Sequence, residues 1–221
     1  MAKIIVFGNQ KGGVGKSTLT MLCAAAFASQ GRAVFVADID KQGSLSDAGR
    51  DAAYTCEKTT LAALLNRLPD LDKKNDVVFI DAAGKLDSDL PADQQEITRI
   101  LLFADLLCIP VTPGNFSIAA TLDYIKLAML CRAARPPDRP LKIAVFINQA
   151  EPATRDHKEL SAQLIELADL TNITAMTAYL PRYAVFRAAG ANDSLLAPRG
   201  KDKAKNAFTS WFKELQKIIA E

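Results

Sequence analysis

The sequence has few of the residues that build metal clusters or disulfide frameworks. It contains four cysteines, none of them in a C-x-x-C pair, and a single histidine, His157. Zinc sites and iron–sulfur clusters need several such ligands at short spacing, so neither kind of site is expected. Three of the cysteines fall in helix-like or strand-like stretches and are expected to be buried apolar thiols. The chain is expected to work in a reducing cytoplasm.

Long apolar runs are also missing. No stretch of about 18 apolar residues, the length that crosses a membrane, occurs in the chain. The apolar run at the N-terminus is too short for a signal peptide. With 221 residues, 49% of them apolar and 24% charged, the chain has the composition of an ordinary globular protein. These numbers argue against membrane-spanning, fibrous and disordered classes.

The net charge is close to zero, but the charges are unevenly distributed. Lysine and arginine exceed aspartate and glutamate by only two, 27 against 25, which does not by itself indicate a nucleic-acid binder. Residues 182–205 hold six basic and two acidic side chains, so this segment carries +4 and the rest of the chain −2. The asymmetry indicates a polyanion-binding surface, although most charge runs are plain solvated surface. The six basic residues are Arg182, Arg187, Arg199, Lys201, Lys203 and Lys205.

Short apolar runs alternate along the chain with longer segments of helical periodicity. Most runs are apolar at every position, as in strands buried on both faces of a parallel sheet. The alternation predicts one doubly wound α/β domain over residues 1–221, with a mostly parallel sheet flanked by helices. The predicted strands are residues 3–7, 33–37, 77–80, 106–111, 142–147 and 173–178. The predicted helices are about 16–30, 59–68, 93–103, 117–134, 154–168 and 203–220.

A glycine-rich loop joins the first predicted strand to the first predicted helix. Residues 11–18 read Lys-Gly-Gly-Val-Gly-Lys-Ser-Thr. Glycines let backbone N–H groups close around phosphates, and the helix N-terminus adds the positive end of its dipole. Lys16 is placed to reach the β- and γ-phosphates of a nucleotide, and the Ser17 hydroxyl is placed to bind Mg²⁺. The loop departs from G-x-x-x-x-G-K-[ST], because Gln10 stands at the first glycine position and an extra lysine, Lys11, follows it.

This loop resembles the deviant Walker A loop of the ParA/MinD family of ATPases. Residues 37–44 are similar to the switch I segment of that family, although Lys41 stands where a proline is usual. Residues 79–84 resemble the Walker B strand and switch II, and residues 108–113 and 146–149 match later segments in order. The resemblance covers nearly the whole chain and is greatest to short plasmid-partition ParA proteins. It implies a P-loop NTPase fold with ATP and Mg²⁺ as cofactors.

The resemblance also implies roles for residues at the carboxyl ends of the strands, where open parallel sheets bind ligands. Lys11 would reach across a nucleotide-sandwich dimer to the ATP of the partner, and Lys16 would contact its own. Asp40 would position the attacking water, and Asp81 would act on Mg²⁺ through a water. For Asp38, structural hydrogen bonding and catalysis are equally open. The expected catalytic residues are Lys11, Lys16 and Asp40, and the expected metal residues are Ser17, Asp40 and Asp81.

By the same resemblance, the bound base is adenine. Asn148 resembles the family asparagine that contacts the adenine edge, and residues 180–182 resemble the segment that closes over the base, with Pro181 at its centre. The sequence offers no guanine-reading N-K-x-D segment. The expected nucleotide-binding residues are Lys11, Gly12, Gly13, Val14, Gly15, Lys16, Ser17, Thr18, Asp81, Asn148 and Pro181.

The last predicted helix, about residues 203–220, has a strongly apolar face. Docking of this face on the sheet is the expected arrangement. An amphipathic membrane anchor, as MinD-type relatives carry, is the alternative, but no flexible linker separates this helix from the body. The apolar residues are Phe208, Trp211, Phe212, Leu215, Ile218 and Ile219.

The resemblance implies a weak Mg²⁺-dependent ATPase of the ParA partition type. ATP would drive homodimerisation or higher assembly, the dimer would hold nonspecific DNA on the nucleoid, and a ParB-like centromere-binding adaptor would stimulate hydrolysis. The phosphate loop begins about ten residues into the sequence, so a preceding helix-turn-helix domain is not expected. Two alternatives remain, a MinD-like ATPase at the membrane surface and a ParA-like ATPase that positions a protein cargo. An iron-protein-like cluster ATPase is set aside, because no cysteine lies in a glycine-flanked loop.

Overall fold

The computed structural model describes residues 1–39, 45, 52–82, 91–114, 118–188 and 202–221. Strands and helices alternate along most of this length. The strands are β1 (Lys3–Phe7), β2 (Val34–Asp38), β3 (Thr55–Lys58), β4 (Val77–Asp81), β5 (Leu106–Val111), β6 (Lys142–Ala150), β7 (Thr174–Ala175) and β8 (Leu180–Pro181). The helices are α1 (Lys16–Ser29), α2 (Leu61–Lys74), α3 (Pro91–Phe103), α4 (Ile118–Ala133), α5 (Arg155–Thr171), α6 (Ala184–Ala188) and α7 (Asp202–Ala220).

The described strands form an eight-stranded sheet in the order β3-β2-β4-β1-β5-β6-β7, with β8 beside β6. Every described pairing is parallel. The first strand lies in the middle, between β4 and β5. The chain builds one side of the sheet up to β4 and then crosses to the other, so the topological switch point lies at the carboxyl end of β1. The predicted doubly wound α/β domain is confirmed.

Alternate residues of each central strand pack into two different cores. In β1, Ile5 and Phe7 join a core that includes residues of α1 and α7. Ile4 and Val6 join a second core that includes residues of α2, α3, α4 and α5. Because helices cover both faces, the central strands are almost entirely buried along their length. Dense packing on both sides fixes the strands.

The last helix packs its apolar side against the first of these cores. Phe208 is 1% exposed, and Trp211 and Leu215 are both 0% exposed. The Trp211 ring centroid lies 4.9 Å from that of Phe146 and 6.3 Å from that of Phe7. Full burial of each large apolar side chain stabilises the fold by roughly 1.5–3 kcal/mol. Within the described residues, no helix combines the length and the apolar character needed to cross a bilayer.

Short and half-exposed elements differ from the sequence-based prediction. The edge strand β3 reads Thr-Cys-Glu-Lys, and none of its residues is fully buried, so it has no apolar run to predict it. The strand β8 and the helix α6 have two and five residues, which is too short to show a period. Both are defined by packing: the pairing of β8 with β6 and the burial of Phe186 on α6.

Helix α2 runs past Pro69, although the sequence predicts that it ends at residue 68. Proline removes one helical hydrogen bond and usually ends a helix. Here Leu71 is buried beyond the proline and continues the apolar side formed by Leu61 and Leu64. Packing of that side against the sheet therefore outweighs the local preference of Pro69.

The strand predicted over residues 173–178 is reduced to β7. The N–H groups of Thr177 and Ala178 both donate to the carboxylate of Glu214 on α7, each over 2.8 Å. These amides cannot also extend the ladder with β6, so the strand ends early.

Candidate nucleotide site

The predicted phosphate loop follows β1 at the switch point of the sheet and is tied to the neighbouring strand β5. The Gly8 N–H donates to the Cys108 carbonyl over 2.9 Å. The buried Asn9 side chain makes two bonds: Nδ2 donates to the Pro110 carbonyl over 2.8 Å, and Oδ1 accepts from the Lys11 N–H over 3.0 Å. The start of the loop is thus fixed by backbone and side-chain bonds before any ligand binds.

Two glycines give the loop a backbone that other residues rarely adopt. Gly13 has φ 76° and Gly15 has φ 94°, both in the left-handed region. Gly15 is the N-cap of α1 and offers no side-chain cap, and the first turn of α1 has no acidic residue. The first amides of α1 therefore have no side-chain acceptor from these positions, and the positive end of the helix dipole is not neutralised there. This is the arrangement that binds an anion such as a phosphate.

A second set of hydrogen bonds reaches the loop from side chains at the end of β6. Asn148 Nδ2 donates to the Val14 carbonyl over 2.8 Å, and this bond is buried. Gln149 Nε2 donates to the Gly13 carbonyl over 2.9 Å. Gln149 itself has φ 55°, so the chain turns sharply where β6 reaches the loop. The role of Gln149 was not predicted, because β6 and the loop are more than 130 residues apart in sequence.

The two lysines of the loop lie close together. Lys16 Nζ donates to the Lys11 carbonyl over 3.3 Å, which holds the Lys16 side chain over the loop. Lys11 and Lys16 are both partly exposed. The predicted phosphate-contacting side chains thus share the surface on which α1 begins.

Two buried carboxylates stand side by side at the carboxyl ends of β2 and β4. Asp38 and Asp81 are register neighbours and are 0% and 1% exposed. Asp38 Oδ2 accepts a hydrogen bond from the Leu45 N–H over 3.1 Å. Burial, with the charges of Asp38, Asp81 and Glu57, raises the pKa of the Cys56 thiol on β3 to about 11. The hydrogen bond gives Asp38 a structural role, while Asp40 and Lys41 lie outside the described residues.

A pocket opens between the start of α1 and the residues around β8. Its walls are mainly apolar, with a few polar groups, which suits a planar heterocyclic base. Asn148 and Pro181 both line it, so the structure brings together the two residues predicted to contact the base. Phe186 and Tyr183 add aromatic walls that the sequence analysis missed, since their place depends on the short elements β8 and α6.

Three of the six predicted nucleic-acid residues have described side chains. Arg182 lines the base pocket, and its Nη1 donates to Glu151 Oε1 over 3.1 Å. Lys203 is exposed and Lys205 half-buried, and both lie near the start of α7. Two others, Arg199 and Lys201, lie outside the described residues, as does the side chain of Arg187. Among the described side chains, Lys203 and Lys205 are the predicted nucleic-acid residues that lie on α7.

A small cavity lies beneath the loop, lined by residues that include Gly8, Lys16, Ala82 and Tyr124. Tyr124 is 3% exposed, and burial together with the neighbouring Cys131 raises the pKa of its hydroxyl, which stays neutral. The hydroxyl lies so close to Gly8 that a β-carbon there would overlap it. Gly8 is thus required by a close approach of α4, a contact that no local sequence pattern indicates.

Comparison with known proteins gives a family model and named relatives. The model, described as an AAA domain (AAA_31), matches residues 2–67. The chain is 26% identical over 170 residues to Protein ParA of Rhizobium radiobacter, covering 74% of this chain and 72% of that protein. It is 25% identical over 213 residues to maintenance of carboxysome distribution protein A of Halothiobacillus neapolitanus, covering 90% of each.

Solved structures share the fold. The ATP complex of Cyanothece McdA superposes with a TM-score of 0.75 at 16% identity, over 97% of this chain and 96% of that one. The cell division ATPase MinD of Pyrococcus furiosus superposes with a TM-score of 0.65 at 18% identity, over 99% and 100%. At these identities the likeness concerns the fold, and it agrees with a phosphate loop at the switch point of the sheet.

Proposed function

Because the chain belongs to the ParA/MinD-type P-loop ATPases, we propose that it is a partition ATPase. In this proposal it dimerises on ATP, binds DNA without sequence preference and segregates plasmid or chromosomal DNA with a ParB-like adaptor. The observation that carries the proposal is the phosphate loop itself. It is fixed from β5 and β6, opens onto the N-terminus of α1 and presents two lysines, Lys11 and Lys16.

In this proposal the base pocket favours adenine over guanine. Asn148 Nδ2 donates one of its two N–H groups to the Val14 carbonyl, and in this proposal Oδ1 meets the ligand in the pocket. A carboxamide oxygen accepts a hydrogen bond from the exocyclic amino group of adenine. Guanine presents a carbonyl oxygen at the equivalent position, and two facing acceptors leave a buried polar group unsatisfied, which costs about 1–3 kcal/mol.

The residues at the phosphate end fit a magnesium ion. Ser17 is the second residue of α1, and Asp81 ends β4, the strand directly beside β1. Hydroxyl and carboxylate oxygens are the donors that Mg²⁺ prefers. When bound, Mg²⁺ would neutralise charge on the β- and γ-phosphates. Lys16 would hold those phosphates in place, and Asp40 would orient the attacking water, so that turnover is slow until a partner completes the site.

In the same proposal, Lys11 contacts the nucleotide of the partner protomer, and the ATP-bound dimer associates with the nucleoid. Lys203 and Lys205 would contact DNA phosphates, together with Arg187, Arg199 and Lys201. Contacts of this kind release counterions, so binding falls steeply as salt rises and does not depend on sequence.

Positioning of a protein cargo is the second candidate function. It is favoured by the relative named for carboxysome distribution, which is matched over 90% of both chains. A membrane-surface role of the MinD type has less support, because the apolar side of α7 is already packed against the sheet. Trp211 and Leu215, which would have to enter a bilayer, are fully buried.

The experiment is binding of the purified chain to random-sequence duplex DNA at low and moderate salt, with ATP, ADP or no nucleotide. We expect binding that requires ATP and weakens with salt. Lys16→Ala should lose both ATP binding and DNA binding. Lys126→Ala, which removes an exposed lysine paired with Asp123 on α4, should behave as the parent. ATP binding without DNA binding in any state would reject the partition function and favour a protein cargo.

A further inference from the structure

One wall of the base pocket is formed by a loop that is held from outside the pocket. This base-pocket loop, residues 177–183, leads from the end of β7 through β8 to Pro181 and Arg182. At its start, Glu214 accepts hydrogen bonds from the Thr177 and Ala178 N–H groups, both over 2.8 Å. The same carboxylate accepts a third bond from Thr177 Oγ1 over 3.2 Å. One side chain on α7 thus fixes two successive peptide groups of the loop.

Beyond Ala178 the loop has other contacts with the body: the Leu180 side chain is 1% exposed in the core, and the Tyr179 ring centroid lies 5.0 Å from that of His157. Leu180 pairs with Asn148 of β6, and the Arg182 N–H donates to the Ala150 carbonyl over 3.1 Å. Pro181, between them, has no N–H to donate. The ladder bonds of β8 are few and lie beyond Thr177 and Ala178, whose N–H groups are bonded to Glu214 instead.

The helix that carries Glu214 is a rigid support. Its neighbour Leu215 and the preceding Trp211 are both 0% exposed in the core beneath the sheet. Glu214 is itself only partly exposed and points from this helix to the loop. Charged acceptors make stronger hydrogen bonds than neutral ones, so three bonds to one carboxylate are a substantial restraint on the loop.

We propose that Glu214 is a positioning residue of the nucleotide site, which holds the base-pocket loop in the conformation that contacts the base. The inference rests on the proposed function, in that the pocket binds the base of ATP. Without the carboxylate, the loop occupies its binding conformation for only part of the time. The apparent dissociation constant rises by the inverse of that fraction.

The test compares ATP with inorganic tripolyphosphate, which reaches the phosphate loop but not the base pocket. In full-length Glu214→Ala, calorimetric titration should show ATP binding about tenfold weaker than in the parent, as expected if the competent fraction falls to about a tenth. Tripolyphosphate should bind as it does to the parent. In steady-state assays the loss should fall on KM rather than on kcat, because base contacts are the same in the ground state and the transition state.

Two further variants keep the test decisive. Glu214→Gln retains one carboxamide oxygen as an acceptor and should lose less ATP affinity than the alanine variant, even if the latter folds poorly. Gln216→Ala removes a 2.8 Å hydrogen bond from the same helix to Gln30, away from the pocket, and should bind ATP like the parent.

Parental ATP affinity in Glu214→Ala would overturn the inference. So would equal losses for ATP and tripolyphosphate, since these would show general damage to the fold. If the parent itself does not bind ATP, the proposed function fails, and this inference fails with it.

Discussion

Replacing Gly15 with alanine imposes two separable penalties on the phosphate loop. The first is conformational: Gly15 has φ 94° and ψ 18°, and an L-residue held in the left-handed region costs about 1–2 kcal/mol. The second is steric. A β-carbon on Gly15 would lie 2.5 Å from Asn148 Nδ2, which is too close for van der Waals contact, so the carboxamide must move.

The steric penalty can be estimated from what the carboxamide holds. Asn148 Nδ2 donates a buried 2.8 Å hydrogen bond to the Val14 carbonyl, and displacement leaves both groups unsatisfied. Losing such a buried bond costs about 1–3 kcal/mol. The two penalties together destabilise the fold by about 2–5 kcal/mol, which lowers the melting temperature of a chain of this size by about 4–20 °C. ATP affinity should fall as well, because Asn148 is part of the base pocket.

Gly31 provides a matched control for the conformational penalty. It also has a left-handed backbone, φ 78°, but nothing lies within 4 Å of a β-carbon built on it. Gly31→Ala should therefore show only the first penalty and should bind ATP like the parent. The assays are chemical and thermal unfolding, with calorimetric ATP titration of each folded variant. If Gly15→Ala is no less stable than Gly31→Ala and binds ATP equally well, the steric reasoning is refuted.

Three further predictions follow from buried groups elsewhere in the fold. Burial lowers the pKa of His157 below its usual value near 6.5, so the folded state favours the neutral ring. Stability should be fully present above pH 6.5 and should decline as the pH falls through the folded pKa. In His157→Gln, the denaturation midpoint should change less with pH between pH 5 and 8 than it does in the parent. The same dependence on pH in both proteins would contradict this. Trp211→Ala should destabilise the chain by about 3–5 kcal/mol in urea unfolding, whereas replacement of the exposed Lys213 with alanine should have little effect. Similar losses of stability in the two variants would contradict the packing of α7. Gly8→Ala should lower the free energy of unfolding by about 1–3 kcal/mol, because the added β-carbon overpacks against the Tyr124 hydroxyl. Adding Tyr124→Phe to the same chain should recover part of that stability. If no stability is recovered, this hydroxyl is not the obstacle.

The sequence predicts the central part of the fold well, because burial on two faces leaves a simple signal. The strands β1 and β5 lie at the predicted positions, and β4 extends one residue further, to Asp81. The edges are less predictable. The strand β3 is half exposed, and β7 is shortened by hydrogen bonds from Thr177 and Ala178 to Glu214, 37 and 36 residues away. Local periodicity cannot indicate that a distant carboxylate, that of Glu214, takes the backbone amides which would otherwise pair with β6.

The candidate site shows the same division. The phosphate loop could be predicted because its glycines and lysines are adjacent in sequence and act through local backbone geometry. The residues of β6 and α4 that hold this loop in place could not be predicted. Asn148 was predicted to contact the base, yet the structure adds a hydrogen bond to Val14, 134 residues away, which orients the carboxamide. Gln149 and Tyr124 reach the loop only because β6 and α4 pack beside it.

Charge along a sequence is likewise not the same as charge on a surface. Arg182 belongs to the basic segment by its position in the chain, but the structure pairs it with Glu151 at the edge of the base pocket. Its side chain is 56% exposed and that of Glu151 49%, so the pair contributes little to stability and holds the arginine only loosely. The pairing nevertheless cancels its charge locally. The other predicted DNA contacts with described side chains are Lys203 and Lys205, at the start of the helix whose far side is packed on the sheet.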